Sequence, residues 1–138
     1  MELERYGFVE AGRWVLSDRV KSGIAFELQT HGDRRVVYAF VVAGEPRYIG
    51  ICEKDTTTLK DRLKRYKGRQ GRSRKRPGGE NTNQRNARLI RQHLESDEPV
   101  LIYALAPAPG CSFVDLQVDL VKGLENPLIA RFNPEWNR

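Results

Sequence analysis

Long apolar runs are missing from this 138-residue chain: the longest, Val36 to Ala43, has eight residues, far short of the roughly 18 that a membrane span requires. A membrane-spanning protein is not expected. Cysteine is also scarce. Cys52 and Cys111 are too few for a disulfide scaffold, and neither stands at zinc-ligand spacing from His31 or His93, so both are expected to be small buried or half-buried thiols. A basic start leading into an apolar block is absent, because Met1 is followed by Glu2, Glu4 and Arg5. With no secretory signal visible, the expected compartment is the cytoplasm. There is no internal repeat, and the length suits one domain around a single core.

Basic charge is abundant and segregated. Between Lys60 and Arg91 there are thirteen basic and two acidic residues, net +11, which leaves eleven basic and sixteen acidic residues elsewhere, net −5. Such asymmetry favours a polyanion partner, with nucleic acid first. The segment from Lys67 to Gly79 has no apolar residue to bury, so it is expected to be a mobile loop whose cations can meet phosphates. The alternatives are a solvated basic linker and an acidic membrane surface, the latter without an amphipathic anchor to accompany it.

The order of elements predicts a small α+β domain on an antiparallel sheet. Residues 7 to 29 alternate short apolar groups with polar ones around Gly12 and Gly23, which reads as irregular strands or a hairpin. Val36 to Ala43, rich in β-branched and aromatic residues, reads as a central strand covered on both faces. Gly44-Glu45-Pro46 breaks that run and Arg47 to Ile51 resumes it, describing a hairpin. Helices are predicted from Thr56 to Tyr66, capped by Asp55 or a threonine, from Asn83 to Leu94, and from Asp115 to Phe132, with Pro127 interrupting the last or starting its final turn. Val100 to Leu105 is a further strand.

Several residues sit awkwardly for pure packing. Arg62 shares the inward stripe of Leu59 and Tyr66, where a guanidinium needs an anionic partner or a ligand. Glu125, four after Val121 and three before Leu128, lies on the packing side of its helix. A metal ion or Arg62 would explain it; so would a rim position capping the turn at Pro127. If a three-residue loop pairs Ala43 with Arg47, Tyr48 opposes Val42 and shares a face with Tyr38. A register shift of one would separate the two phenols, and core or surface aromatics are the alternative reading.

Taken together, these residues resemble a known family. Val36-Val37-Tyr38, followed ten residues later by Tyr48-Ile49-Gly50, then Leu59 to Arg62-Leu63, Glu125, and Pro134-Glu135-Trp136-Asn137, look like the GIY-YIG nuclease superfamily. The likeness covers roughly residues 35 to 138 and is greatest to its small phage endonucleases. It implies a small antiparallel sheet, with three central strands, flanked by helices. Residues 1–34 would be an N-terminal β extension packed on a nuclease domain at 35–138 that carries the basic loop 67–82. The chain departs from the pattern where valines replace Gly-Ile in the first motif and where Ile51 replaces a common lysine. The span from Tyr48 to Arg62 is also long, which places an insertion at Cys52 to Thr57. A substitute for the lysine is sought at Asn83, Arg85 or Asn86.

The activity implied is one-metal hydrolysis of a DNA phosphodiester. Glu125 would be the only protein ligand of a Mg²⁺ or Mn²⁺ ion. Arg62 would stabilise charge building on phosphorus, and Tyr38, helped by Tyr48, would receive a proton from the attacking water. That last role requires a phenol pKa lowered from about 10. Asn137 would fix the end of the final helix, and Trp136 is read as a core plug. Double-stranded DNA is the expected partner, with a second copy of the chain as a candidate companion on it. Backbone contacts are assigned to Lys64, Arg65, Lys67, Arg69, Arg72, Arg74, Lys75 and Arg76, together with Asn83, Arg85 and Asn86. The rivals are a structure-specific repair or recombination nuclease, and a non-catalytic nucleic-acid-binding module, which Ile51 favours.

Overall fold

The computed structural model describes residues 1–67 and 80–138. Five antiparallel strands form one sheet in the order β2-β1-β5-β3-β4, where β1 is Val9–Leu16, β2 Ile24–Leu28, β3 Val37–Val42, β4 Glu45–Ile51 and β5 Val100–Leu105. All six residues of β3 are buried, as a continuous apolar run requires when both faces of a sheet are covered. Its even positions, Tyr38, Phe40 and Val42, enter a cluster with Trp14, Leu59, Leu63, Ala87 and Ile90. Its odd positions, Val37, Ala39 and Val41, meet Leu3, Phe8, Val121 and Leu128 on the other side. Two layers of helix therefore sandwich the sheet. One layer holds α2 (Leu59–Lys64) and α3 (Thr82–Glu95), and the other α1 (Glu2–Arg5) and α4 (Leu120–Phe132).

Residues 1–34 contribute to the sheet itself: β1 pairs with β5 and with β2, so the N-terminal strands extend the sheet that carries the hairpin. The sheet has five strands where the central unit alone has three.

The hairpin differs from its expected register. Ala43 and Gly44 form a two-residue turn with φ of 53° and 76°, so Val42 faces Glu45 and not an outlying partner. Both central residues take positive φ, as the tight turns that match strand twist demand. Continued without interruption, that pairing would set Tyr48 opposite Ala39, on the wrong face. A bulge between Pro46 and Tyr48 shifts the ladder by one, and Tyr48 pairs with Phe40. Tyr38 and Tyr48 thus share a face, by a route other than the three-residue loop.

The predicted last helix is shorter than expected. Ser112–Phe113 (β6) and Leu116–Gln117 (β7) form a small hairpin with Val114 at φ 58°, and Asp119 caps α4 by accepting from the Lys122 amide. Leu116 is consequently exposed at 64%. The leucine spacing that imitates a helix from Asp115 is interrupted by this turn. Pro127 lies inside α4, and Asn133, in the left-handed region at φ 45°, ends it. Helix α2 begins at Thr58, whose side chain accepts from the Asp61 amide in a reciprocal capping box, and passes into a 3-10 turn at Arg65–Lys67. Of the two thiols, Cys52 is buried and Cys111 is exposed. Among the described residues no helix is long and apolar enough to cross a membrane.

Candidate active site

The candidate site residues are carried by β3, β4, α2 and α4, the two helices lying in the opposite layers that cover the sheet. Gly50 stands opposite Tyr38 in the ladder, and a Cβ at that position would lie 2.6 Å from the Tyr38 hydroxyl and ring and 2.9 Å from Tyr48. Only glycine leaves room for two phenols packed against the strand. Tyr38 is fully buried and Tyr48 is 8% exposed, with ring centroids 6.2 Å apart.

The inward arginine meets these rings. The guanidinium carbon of Arg62 lies 5.9 Å from the Tyr38 ring centroid and 5.2 Å from that of Tyr66, and its Nη1 donates to Asn83 Oδ1 at 3.3 Å. Tyr66 is a participant that sequence reasoning assigned only to packing. Its hydroxyl is 3.1 Å from that of Tyr38. The only signal for it was its place one turn after Arg62, which a core tyrosine would share. Arg62 has no carboxylate within ion-pair distance among the described residues. It holds its charge: burial opposes ionisation, but the surrounding phenols raise its pKa overall.

Glu125, half-buried on α4, lies within the electrostatic reach of both Arg62 and Tyr48. Burial raises its pKa above the ordinary carboxylate value, the Glu53 charge pushes the same way, and Arg62 opposes them. Among the described residues no hydrogen-bond donor engages its carboxylate. The cation and the anion singled out from their helical positions thus lie within electrostatic reach of each other.

The tyrosines carry the opposite sign to the one a proton acceptor needs. Burial drives the Tyr38 pKa well above its usual value, and Tyr66 adds to this against the weaker pull of Arg62. Tyr48 is raised too, first by burial and then by Tyr66, with Arg62 opposing. Both are neutral phenols across the neutral range.

Asn137 belongs to a 3-10 turn, Glu135–Asn137, beyond α4. Its Oδ1 accepts from the Ile49 amide at 2.8 Å and its Nδ2 donates to the Ile49 carbonyl at 2.9 Å, so it closes the free edge of β4 beside the pocket. Trp136 is buried in the core with its ring 5.7 Å from that of His93.

The residues assigned to nucleic acid separate. Lys64 and Arg65 are exposed, whereas the Lys67 ammonium sits 4.7 Å over the Phe26 ring. Asn83 is committed to Arg62, and Arg85 donates to the Trp136 carbonyl. Asn86 corrects the expectation: it is 0% exposed, turned into the protein with Ala87 and Ile90, and cannot reach a ligand on the surface. Arg69, Arg72, Arg74, Lys75 and Arg76 lie outside the described residues.

Comparison with solved structures places this architecture. The chain is similar to a mutant of bacteriophage T4 EndoII, with a TM-score of 0.71 at 22% identity over 99% of this chain and 96% of that one. The fold is shared with that phage endonuclease. A second likeness, to the restriction endonuclease HPY188I in complex with product DNA, has a TM-score of 0.50 at 18% identity over 99% of this chain and 79% of the other. No protein-family model and no curated protein sequence matches the chain. The likeness to that solved structure therefore spans the whole α+β architecture.

Proposed function

We propose that this protein is a divalent-metal-dependent DNA endonuclease acting at the pocket between Arg62 and Glu125. One observation carries the reading. A half-buried guanidinium lies against the rings of Tyr38 and Tyr66, has no ion-pair partner among the described residues, and is within electrostatic reach of the Glu125 carboxylate. A cation held in that way is matched to an incoming phosphate, two of whose oxygens its planar fork of donors can engage together. Two solved structures of similar fold are of endonucleases, one of them with product DNA.

The chemistry of Glu125 suits a Mg²⁺ or Mn²⁺ ion. Glu125 is a hard oxygen donor without a hydrogen-bond donor among the described residues, and both burial and Glu53 oppose its charge, so a bound cation would relieve it. Once bound, such an ion polarises the scissile phosphate and supports ionisation of water. Glu125 would hold it. Arg62 would stabilise the negative charge that develops on the phosphate oxygens. Tyr48, staying protonated, would act through hydrogen bonds, its oxygen accepting from a water and its O–H donating to a phosphate oxygen, while the buried Tyr38 and Tyr66, bonded to each other, would pack behind it. Asn137 keeps β4, and with it Tyr48, in register by its clasp on Ile49.

Double-stranded DNA is the proposed substrate. Lys64, Arg65 and the basic stretch from Lys67 to Arg76 would meet its backbone, giving affinity that falls with salt. Whether one or both strands are cut depends on whether two copies bring two pockets together. The test is incubation with supercoiled plasmid and Mg²⁺. Nicking that EDTA and Glu125→Ala both abolish is the expected result. Binding without nicking would instead establish the non-catalytic module that Ile51 favours.

A further inference from the structure

We infer that Arg35 is a positioning residue for Glu125, acting through Asp119 at the start of α4; its consequence for catalysis rests on the nuclease reading above. Arg35 lies just before β3 and its side chain is 18% exposed. Every arm of its guanidinium is engaged. Nε donates to the carbonyls of Cys52 at 2.8 Å and Lys54 at 3.1 Å, and Nη2 donates to that of Glu53 at 2.7 Å. Nη1 and Nη2 clasp the two oxygens of Asp119 at 2.8 Å each. One side chain thus ties the turn that leaves β4, where Glu53 sits, to the residue that caps α4.

That attachment matters because of how α4 is made. Asp119 Oδ1 accepts both from Arg35 and from the Lys122 amide, so the arginine holds the first helical turn through its cap. Glu125 follows Asp119 by six residues, about 9 Å along the axis. The first turn is bonded, with the Gly123 amide donating to the Asp119 carbonyl at 2.9 Å, and the ladder is interrupted further on, where Pro127 has no amide hydrogen to offer the Gly123 carbonyl. The turn bearing Glu125 is therefore loosely joined to the second half of the helix. Its direction is set from the N-terminal side, by Arg35. A planar fork can fix the turn after β4 and a carboxylate together, where a lysine's point charge cannot.

Backbone hydrogen exchange, Mn²⁺ binding followed by electron paramagnetic resonance, and steady-state nicking of plasmid DNA test this in the full chain. In Arg35→Ala, exchange at the amides of Val121 to Asn126 is expected to rise about tenfold or more, while that at Ile129 to Phe132 changes less than about threefold. Mn²⁺ affinity falls roughly tenfold, and kcat falls about 10–100-fold with KM for DNA nearly unchanged. Arg35→Lys does not rescue these. Asp119→Asn, which preserves a good cap, shows the same defect in milder form. Exchange and Mn²⁺ affinity at wild-type levels in the three variants would overturn the assignment, as would a uniform rise in exchange over the whole chain. Should Arg35→Ala not fold, Arg35→Lys and Asp119→Asn decide. Failure of the wild-type protein to cut DNA would remove the nuclease reading alone, since exchange reports on Arg35 without it.

Discussion

The hydroxyl of Tyr38 lies 3.1 Å from that of Tyr66, joining the central strand to the turn after Arg62 inside a buried pocket. Two phenols that satisfy each other away from water are a coupled pair: deleting one oxygen strands the other. Tyr66→Phe and Tyr38→Phe are each expected to cost about 1–2 kcal/mol, and the double variant less than their sum. A urea double-mutant cycle measures the coupling, and additive losses would show that the pair is not formed.

Arg62→Ala is expected to lower plasmid nicking by about 100-fold or more, because it removes the cation that meets the charge developing on phosphate. Affinity for DNA, supplied mostly by the basic stretch, should stay within a few-fold. Parallel loss of binding and cleavage, read by fluorescence anisotropy beside the nicking assay, would assign Arg62 to binding instead.

Glu125→Gln should abolish metal-dependent nicking while leaving the apo protein as stable as the wild type or slightly more so. Burial and Glu53 both oppose the native carboxylate, and an amide of the same shape carries no such penalty. The urea midpoint without metal checks this. A marked drop would mean that the carboxylate holds a structural contact.

Asn137→Ala removes two hydrogen bonds to Ile49 and uncovers the edge of β4. A loss of about 1–3 kcal/mol is expected, with reduced nicking as the register near Tyr48 loosens. Asn137→Asp, which keeps an acceptor for the Ile49 amide but cannot donate, should fall between the two.

Acid should expose the link between Arg35 and Asp119. The hydrogen bond from Arg35 pulls the Asp119 pKa from 3.8 down to about 2. A carboxylate depressed in the folded state stabilises the protein above its unfolded pKa, and that contribution is lost as pH falls from near 4 toward 2. Partial exposure of the pair keeps the contribution to about 1 kcal/mol. Denaturation of wild type and Arg35→Ala across this range should therefore converge at the acid end, and a constant gap would contradict the linkage.

Much of the fold is legible residue by residue. The run from Val36 to Ala43 reads as a central strand because β-branched and aromatic side chains without polar alternation suit only a sheet covered on both faces. Arg62 and Glu125 stand out because a charge on a packing face demands a reason. Tyr66 does not, since an inward tyrosine one turn further on looks like any core aromatic. Asn83 and Asn86, three apart on one side of α3, look equivalent along the chain, yet the first meets Arg62 at the start of the helix and the second, one turn further in, is sealed in the core with Ala87 and Ile90. The span from Asp115 to Leu120 imitates a helix by its leucine spacing alone.

By itself the sequence determined the types of the main elements, the clustering of basic charge and the two ill-placed charges of the candidate site, for these follow from local periodicity and the cost of burying an ion. Only the tertiary structure decided the rest. The bulge turns Tyr48 to the side of Tyr38, the N-terminal strands join the same sheet, and Arg35 reaches across 84 positions to Asp119. Each depends on strand pairing and side-chain approach between distant segments, and no local pattern encodes those.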